Sequence, residues 1–282
     1  MDTSPLPRAV ILAKALRLDG ARGPVYGPLD MHVAPGDLVV VTGPQGSGRT
    51  SLLLTLAGRM KPSASTVQLT VAGHDLPRER RAVQRLSAVA GFAGIDDLDG
   101  SVTVGDTLRE RLAWLSPWYA RVPRLTDERV RELAARTFGP RAIPSAATLV
   151  RDLDEVDAML LRIVVALLAQ PQVLVVDDLD QVHDTARRQI VWSRLEQLTT
   201  CGLTVVASVA SADEVSTMSW VVEPRVVRLT TGPRLATAAA PGAPGAPAGA
   251  PGAADAPTGT PGAAPTTADA PTTTTPAEEA HA

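Results

Sequence analysis

The 282-residue chain predicts an α/β fold on a largely parallel sheet, with a helical insertion and a disordered C-terminal tail. Three observations carry this. Short apolar runs alternate with helical patterns, the order that builds a parallel sheet. Between about residues 104 and 170, charged and apolar residues recur at helical spacing instead. From Pro241 to Ala282, 37 of 42 residues are Ala, Pro, Thr or Gly, with no Val, Ile, Leu or aromatic, so this stretch has no core to bury. One folded domain is expected over 1–234, its helical part over about 104–170, and a disordered tail over 235–282.

The elements follow in order. Ala9–Leu18, Leu29–Val33, Asp37–Thr42 and Val67–Val71 are apolar, strand-like runs. A helix follows Gly48 through RTSLLLTLAGRM, and a strand is expected at Leu86–Phe92. The run Arg78–Arg81 reads as a solvated helix face. Val104–Trp114 and Asp127–Phe138 are amphipathic helices, punctuated by Pro117, Pro123, Pro140 and Pro144. Val156–Ala169 is a buried helix. A strand at Val173–Val176, a helix over Thr185–Leu198, a strand over Leu203–Ser208, a short helix at Ala212–Met218 and a strand near Val226–Leu229 complete the fold.

Composition excludes some functions. The net charge is −3, and setting aside the tail's four acids leaves the folded part at +1, with no basic footprint for nucleic acid. The single Cys201 allows no internal disulfide and fits a reducing cytosol. The longest apolar stretch, Ala158–Ala169, is broken by Arg162 and falls short of the roughly 20 residues of a membrane span. The apolar run Ala9–Ala13 is too short for a signal peptide. A membrane role is therefore expected to need a partner.

The most informative stretch is Gly43-Pro44-Gln45-Gly46-Ser47-Gly48-Arg49-Thr50, which with Ser51 supplies the candidate nucleotide-binding residues. It joins the apolar strand LVVVT to an apolar helix, the setting a phosphate-binding loop requires. Gly43, Gly46 and Gly48 let the backbone curl towards a ligand. Exposed N–H groups and the helix N-terminus would point at an anion. The Thr50 hydroxyl could hold Mg²⁺. A glycine-rich turn with no ligand is the alternative. The motif calls for Lys where this chain has Arg49, and a planar, bulkier cation is not equivalent at a tight site.

The second motif is Pro171-Gln172-Val173-Leu174-Val175-Val176-Asp177-Asp178, an apolar strand ending in two carboxylates. At the carboxyl edge of a parallel sheet they would face the ligand crevice. Asp177 could hold Mg²⁺, and Asp178 could polarise an attacking water. Two ordinary solvated acids are the alternative.

GPQGSGRTSLL and QPQVLVVDDLDQVHD, separated by a helical block, resemble the ATP-binding cassette (ABC) transporter family. So do the lead-in LDMHVAPGDLVVVTG, the segment SVTVGDTLRERL and the strand GLTVVASVASADEV. The resemblance covers about residues 8–232. It implies a RecA-like P-loop core with a helical subdomain, ATP and Mg²⁺ as ligands, a membrane-spanning transporter subunit as partner, and a second cassette closing over the nucleotide. It places the protein in the cytoplasm, on the inner face of the cell membrane through that partner. Matched by position, Gly43, Gly46, Gly48, Arg49 and Thr50 form the phosphate loop. Asp177 is the Mg²⁺ carboxylate, Asp178 stands where the family has its catalytic Glu, and Asp184 matches the aspartate of the following loop.

The match also departs from the family. No glycine lies between Gly139 and Gly202, so the LSGGQ signature is absent; its place is taken by Arg151-Asp152-Leu153-Asp154-Glu155-Val156-Asp157. Facing a triphosphate, each like-charge pair there would cost about 4 kcal/mol at about 4 Å and an effective dielectric of about 20. The metal-sensing glutamine falls near Gly94, the γ-phosphate histidine near Val209 or Ala210, and the adenine-stacking aromatic near Gly20 or Ala21, with Tyr26 out of register. Trp114, Trp118 and Tyr119 are a docking patch or packing residues. The sequence leaves three functions open: a slow transporter ATPase subunit, a nucleotide-binding regulatory module without turnover, and, against the helical insertion, another P-loop enzyme such as a small-molecule kinase.

Overall fold

A computed structural model of the chain describes residues 9–21 and 23–230; the expected tail over 235–282 lies outside them. Nine strands and seven α-helices are found among the described residues, in two sheets. Four strands form an antiparallel sheet: β1 (Ile11–Gly20), β2 (Gly23–Val33), β4 (Gln68–Val71) and β5 (His74–Asp75), in the order β2-β1-β4-β5. The other five are parallel: β3 (Leu38–Thr42), β6 (Ser87–Ala90), β7 (Val173–Val176), β8 (Thr204–Val209) and β9 (Arg225–Arg228), in the order β6-β7-β8-β3-β9. The helices are α1 (Arg49–Leu56), α2 (Arg80–Leu86), α3 (Val104–Leu115), α4 (Asp127–Phe138), α5 (Glu155–Leu167), α6 (Thr185–Thr200) and α7 (Asp213–Thr217).

The parallel sheet is covered on both faces, which is why its strands are continuous apolar runs. Successive side chains divide between two cores. Val40, Leu174, Val176, Val205 and Ala207 pack with α3–α6, against Leu108, Phe138, Leu160, Ile163 and Trp192. Val39, Val41, Val173, Val175 and Val206 pack against Leu52, Leu53 and Leu56 of α1 and against Ile11, Leu16 and Val71 of the antiparallel sheet. Burying each such aliphatic side chain contributes roughly 1.5–3 kcal/mol. With both faces apolar, polar chemistry is confined to the strand ends.

The expected α/β fold, with its parallel sheet and helical insertion, is the fold found. Four details differ. The strand expected at Leu29–Val33 begins at Gly23, because the glycines and prolines there accommodate a bulge and do not form a turn. β1 shifts register between Ala13 and Leu16, and a Cβ on Gly27 would lie 2.1 Å from the Leu16 carbonyl oxygen. The helix after Gly48 stops at Leu56 instead of Met60. Gly58 takes φ +67°, and the Arg59 N–H closes back on the Leu54 carbonyl at 2.8 Å, a left-handed C-terminal cap. The solvated run at Arg78–Arg81 leads into α2, whose last residue, Leu86, was expected in the following strand. The two-residue β5 had no sequence signal.

A buried polar cluster ties α7 to α6. Glu214 accepts from the Trp192 indole N–H at 2.9 Å and lies 3.2 Å from Arg188 Nε. Arg188 also donates to the Val182 and His183 carbonyls. Glu214→Ala leaves the indole without its acceptor and Arg188 without its ion-pair partner. Denaturant melts are expected to show a loss of about 3 kcal/mol, as for a broken buried pair; a loss under about 1 kcal/mol would mean that water replaces the carboxylate.

Candidate functional site

The ends of β3, β6, β7 and β8 lie along one edge of the parallel sheet, where such folds place ligands. The loop Gly43–Gly48 leaves β3 and delivers the chain into α1. Its glycines answer different demands. A Cβ on Gly43 would meet Ser47 Oγ at 2.5 Å and the Leu229 carbonyl at 2.7 Å. Gly48, at φ +85°, would place a Cβ 2.6 Å from the Val25 carbonyl. Gly46 also has a positive φ, +80°, but borders open space.

α1 therefore starts from a left-handed glycine with no side-chain cap and no acid in its first turn. Among the described residues, nothing accepts from the N–H groups of Gly48, Arg49, Thr50 and Ser51. The Ser47 hydroxyl is buried and likewise has no hydrogen-bond partner among the described residues. Pro44, Gln45, Gly46 and Thr50 are exposed. Free N–H groups at a helix N-terminus form an anion site, and these donors fit a phosphate chain.

Arg49 does not point into open solvent. Its side chain is only 14% exposed, and Nη1 lies 3.5 Å from Asp180 Oδ2. That nitrogen is fully buried and makes no hydrogen bond among the described residues. Asp180 stands in the turn after β7, and its Oδ2 also accepts from the Ala210 N–H at 2.8 Å, at the end of β8. One carboxylate thus joins the phosphate loop, the acidic turn and the end of β8.

The two predicted carboxylates are adjacent in sequence and differ in setting. Asp177 is buried, and Ser208 donates its hydroxyl to Oδ1. A carboxylate and an exposed hydroxyl such as that of Thr50 are oxygen ligands of the type Mg²⁺ takes. Asp178 takes a left-handed backbone, φ +49°, strained for a non-glycine residue. Its N–H donates to Ser208 Oγ at 3.2 Å, and Gln181 Nε2 approaches its Oδ2 at 3.4 Å.

Gln181 begins a polar chain that leaves the site. Its amide donates to the Gly91 carbonyl at 3.0 Å and accepts from Arg162 Nη1 at 3.2 Å. Arg162 Nη2 donates to Asp97 Oδ1 at 3.2 Å. Arg162 and Asp97 line a groove of about 430 Å³ together with Arg59, Ile95, Arg111 and Trp114. Trp114, Trp118 and Tyr119 are all largely exposed, so they are not core residues. Beside the groove, Asp96 accepts from the Gly91 and Phe92 N–H groups, and burial raises its pKa above the ordinary value.

The N-terminus of α5, where the acidic segment lies, is closed. Asp154 caps it, accepting from the Asp157 N–H at 2.8 Å. Arg141 bridges Asp154 and Asp157 through two nitrogens. Glu155 takes the N–H and the ring Nδ1 of His183, each at 3.1 Å. Those bonds, the backbone one foremost, hold its carboxyl below the ordinary value. Asp184, matched to a loop aspartate, serves here as the cap of α6, accepting from the Arg187 N–H at 2.9 Å.

Tyr26 is buried with its hydroxyl on Thr55 Oγ1 at 2.7 Å, and burial pushes its pKa up to about 12. It presents no ring to a ligand. Sequence reasoning missed Asp180, Gln181, Ser208 and Arg141. Asp180 and Gln181 stand inside the DDLDQ run, but the partners Arg162, Gly91 and Ala210 that tie them to the rest of the site are more than 18 residues away.

Comparison with known proteins agrees with this architecture. The sequence model described as "ABC transporter" matches residues 26–180, more than half of the chain. A Nod factor export ATP-binding protein I of Paraburkholderia xenovorans is 28% identical over 223 residues, covering 74% of this chain and 65% of that protein. One from Burkholderia pseudomallei is 31% identical, covering 67% and 59%. The chain thus spans about three-fifths of the length of these relatives. Among solved structures, cbiO1 from Clostridium perfringens, part of an ABC transporter complex, superposes with a TM-score of 0.61 at 15% identity, covering 74% of this chain and 81% of that one. A dimeric bacterial ABC transporter cassette gives 0.60 at 16%, covering 78% and 94%. With the matched stretch running from β2 through the phosphate loop to the acidic turn, the chain belongs to the ABC transporter family.

Proposed function

We propose that this chain is an ATP-binding subunit that takes Mg·ATP on Gly43–Ser51 and acts through a membrane-spanning partner, with weak hydrolysis of its own. The observation that carries the reading is the open N-terminus of α1. Its free N–H groups and the buried Ser47 hydroxyl would take phosphate oxygens, and Arg49 would add charge. Thr50 and Asp177 would hold Mg²⁺, which supplies charge neutralisation between the phosphates. A relative of the fold is described as an ATP-binding cassette bound to ADP and Pi.

Several features favour binding over turnover. Asp178 is one methylene shorter than Glu, is engaged by Gln181, and would sit short of a water, where a misplacement of about 1 Å costs on the order of 10²-fold in rate. Val209 and Ala210 offer no imidazole at the end of β8. The closed N-terminus of α5 favours a second reading, a regulatory module without turnover that pairs with an intact cassette. The groove with Trp114 and Ile95 at its mouth is the surface for the membrane partner, and the chain Asp97–Arg162–Gln181 would connect it to Asp178. No helix among the described residues is long and apolar enough to cross a membrane. On this reading the protein is cytoplasmic, held at the inner face of the cell membrane by its partner.

Calorimetric titration with ATP, with and without Mg²⁺, tests the reading. Mg²⁺-dependent heat is expected, and Thr50→Ala should weaken the Mg²⁺-dependent binding about tenfold, the loss of one bond to a charged group. No heat at millimolar nucleotide would end the nucleotide reading.

Mg-tripolyphosphate should bind within about fivefold of Mg·ATP, because no aromatic here adds the roughly 1–3 kcal/mol of a stacked base. A preference for ATP of a hundredfold or more would require a base contact that the described residues do not provide.

Arg49→Lys alone should not give brisk turnover, since the end of β8 and the N-terminus of α5 stay unsuited to it. Phosphate release at about 1 s⁻¹ or faster, an ordinary enzymatic rate, would show those features to be unimportant.

A further inference from the structure

Asp180 is a charge placed where an anion site should not have one. Its carboxylate is 3.5 Å from Arg49 Nη1, in a pocket where the Arg49 side chain is 14% and the Asp180 side chain 32% exposed. At that distance the charges attract, but no hydrogen bond forms, and Arg49 Nη1 is buried without an acceptor. Asp180 Oδ2 directs its hydrogen bond to the Ala210 N–H instead. The guanidinium is neutralised yet keeps its donors free for a better acceptor, and a phosphate offers one, through two parallel bonds.

The turn that carries Asp180 is held from several sides. Asp178 sits at φ +49°, with its N–H on Ser208, and the Gln181 and Val182 N–H groups close back on the Asp178 and Leu179 carbonyls at 3.1 Å each. The backbone of the turn is thus fixed, so moving the carboxylate off Arg49 is a side-chain rotation that gives up its bond to the Ala210 N–H.

We propose that Asp180 is a built-in counter-ion of the phosphate loop: it occupies the charge of Arg49, and a triphosphate binds by displacing it. This rests on the reading of Gly43–Thr50 as a nucleotide site. A protein whose binding-competent state is a minor population shows an affinity lowered by that fraction, so Asp180 sets the nucleotide affinity below what the loop itself would give. Because the same oxygen holds Ala210, displacement also releases the end of β8. The loop from β8 to α7 then reports whether the phosphate loop is filled. Asp180 is thus a positioning residue that opposes the ligand.

Asp180→Asn tests this, since the amide oxygen can still accept from Ala210 while the charge is gone. The wild type, Asp180→Asn, Arg49→Ala and the double variant would be titrated with Mg·ATP by calorimetry, and thermal melts without nucleotide would establish that each is folded. Asp180→Asn is expected to bind about tenfold more tightly than the wild type, the change that about 1.4 kcal/mol produces. In the Arg49→Ala background the gain should fall to about half of that or less. Binding by Asp180→Asn where the wild type is silent would support the proposal most strongly. Equal affinity of wild type and Asp180→Asn would overturn it while leaving the nucleotide reading intact. Weaker binding by Asp180→Asn, confined to Mg²⁺ conditions, would make Asp180 a metal ligand and also overturn it. Silence from all four proteins would remove the nucleotide reading and this inference with it.

Discussion

The parallel sheet is apolar on both faces, and everything polar in the molecule is arranged around that constraint. Val39, Val41, Val173 and Val175 face one core while Val40, Leu174, Val176 and Val205 face the other. Neither face can carry an unpaired polar group without a penalty of roughly 1–3 kcal/mol. The carboxyl ends of β3, β6, β7 and β8 are where the chain can turn polar, so Gly43, Gly91, Asp177 and Ala210 converge there. β3 and β7 are separated by β8, so the loop and the acidic turn do not touch through their strands. Asp180 spans the gap, reaching Arg49 on one side and Ala210 on the other.

That edge is crowded with carboxylates, and nearly all are answered from within the chain. Asp177 has Ser208, Asp180 has Arg49 and the Ala210 N–H, and Asp96 has two backbone N–H groups. The acids of the α5 segment are matched by Arg141 and His183. An acid satisfied internally contributes to the fold but has less to offer a substrate. On the proposed function, the same pairings that hold the strand ends together lower the capacity for hydrolysis. On that reading binding depends instead on backbone N–H groups, which no side chain among the described residues caps.

Much of this was legible in the sequence, for physical reasons. Doubly covered strands leave continuous apolar runs, so β3, β7 and β8 were read within a residue or two of their ends. Alternation at helical spacing gave α3 and α4 in the same way. Local rules failed where tertiary contacts decide. Gly23, Pro24, Gly27 and Pro28 look like turn residues, yet they belong to a strand that bends around a bulge in β1. For the candidate site, the residues within each motif could be located by their own spacing. Their partners could not. The pairing of Arg49 with Asp180 joins positions 131 residues apart, and nothing in either segment alone specifies it.

The two helix N-termini that matter here are built in opposite ways, and the difference bears on how the chain would work with a partner. α1 begins at a left-handed glycine, carries no acid in its first turn and leaves its N–H groups free. α5 begins at Asp154, carries Glu155 and Asp157 in its first turn and is clamped by Arg141. The first end attracts an anion; the second already holds one, covalently part of the chain. The family resemblance implies that two cassettes close over nucleotide, each using its own phosphate loop and the other's helix end at the signature position, which here is the α5 end. Two copies of this chain would set a closed, acidic α5 end against each bound triphosphate, and like charges would oppose the closure at both sites. One copy paired with an intact cassette would face that repulsion at one site only, while its own open α1 end received a favourable partner surface. On the proposed function, the asymmetry between α1 and α5 therefore favours a heteromeric assembly in which this chain binds nucleotide to govern closure, and the other cassette supplies the helix end that this one has sealed.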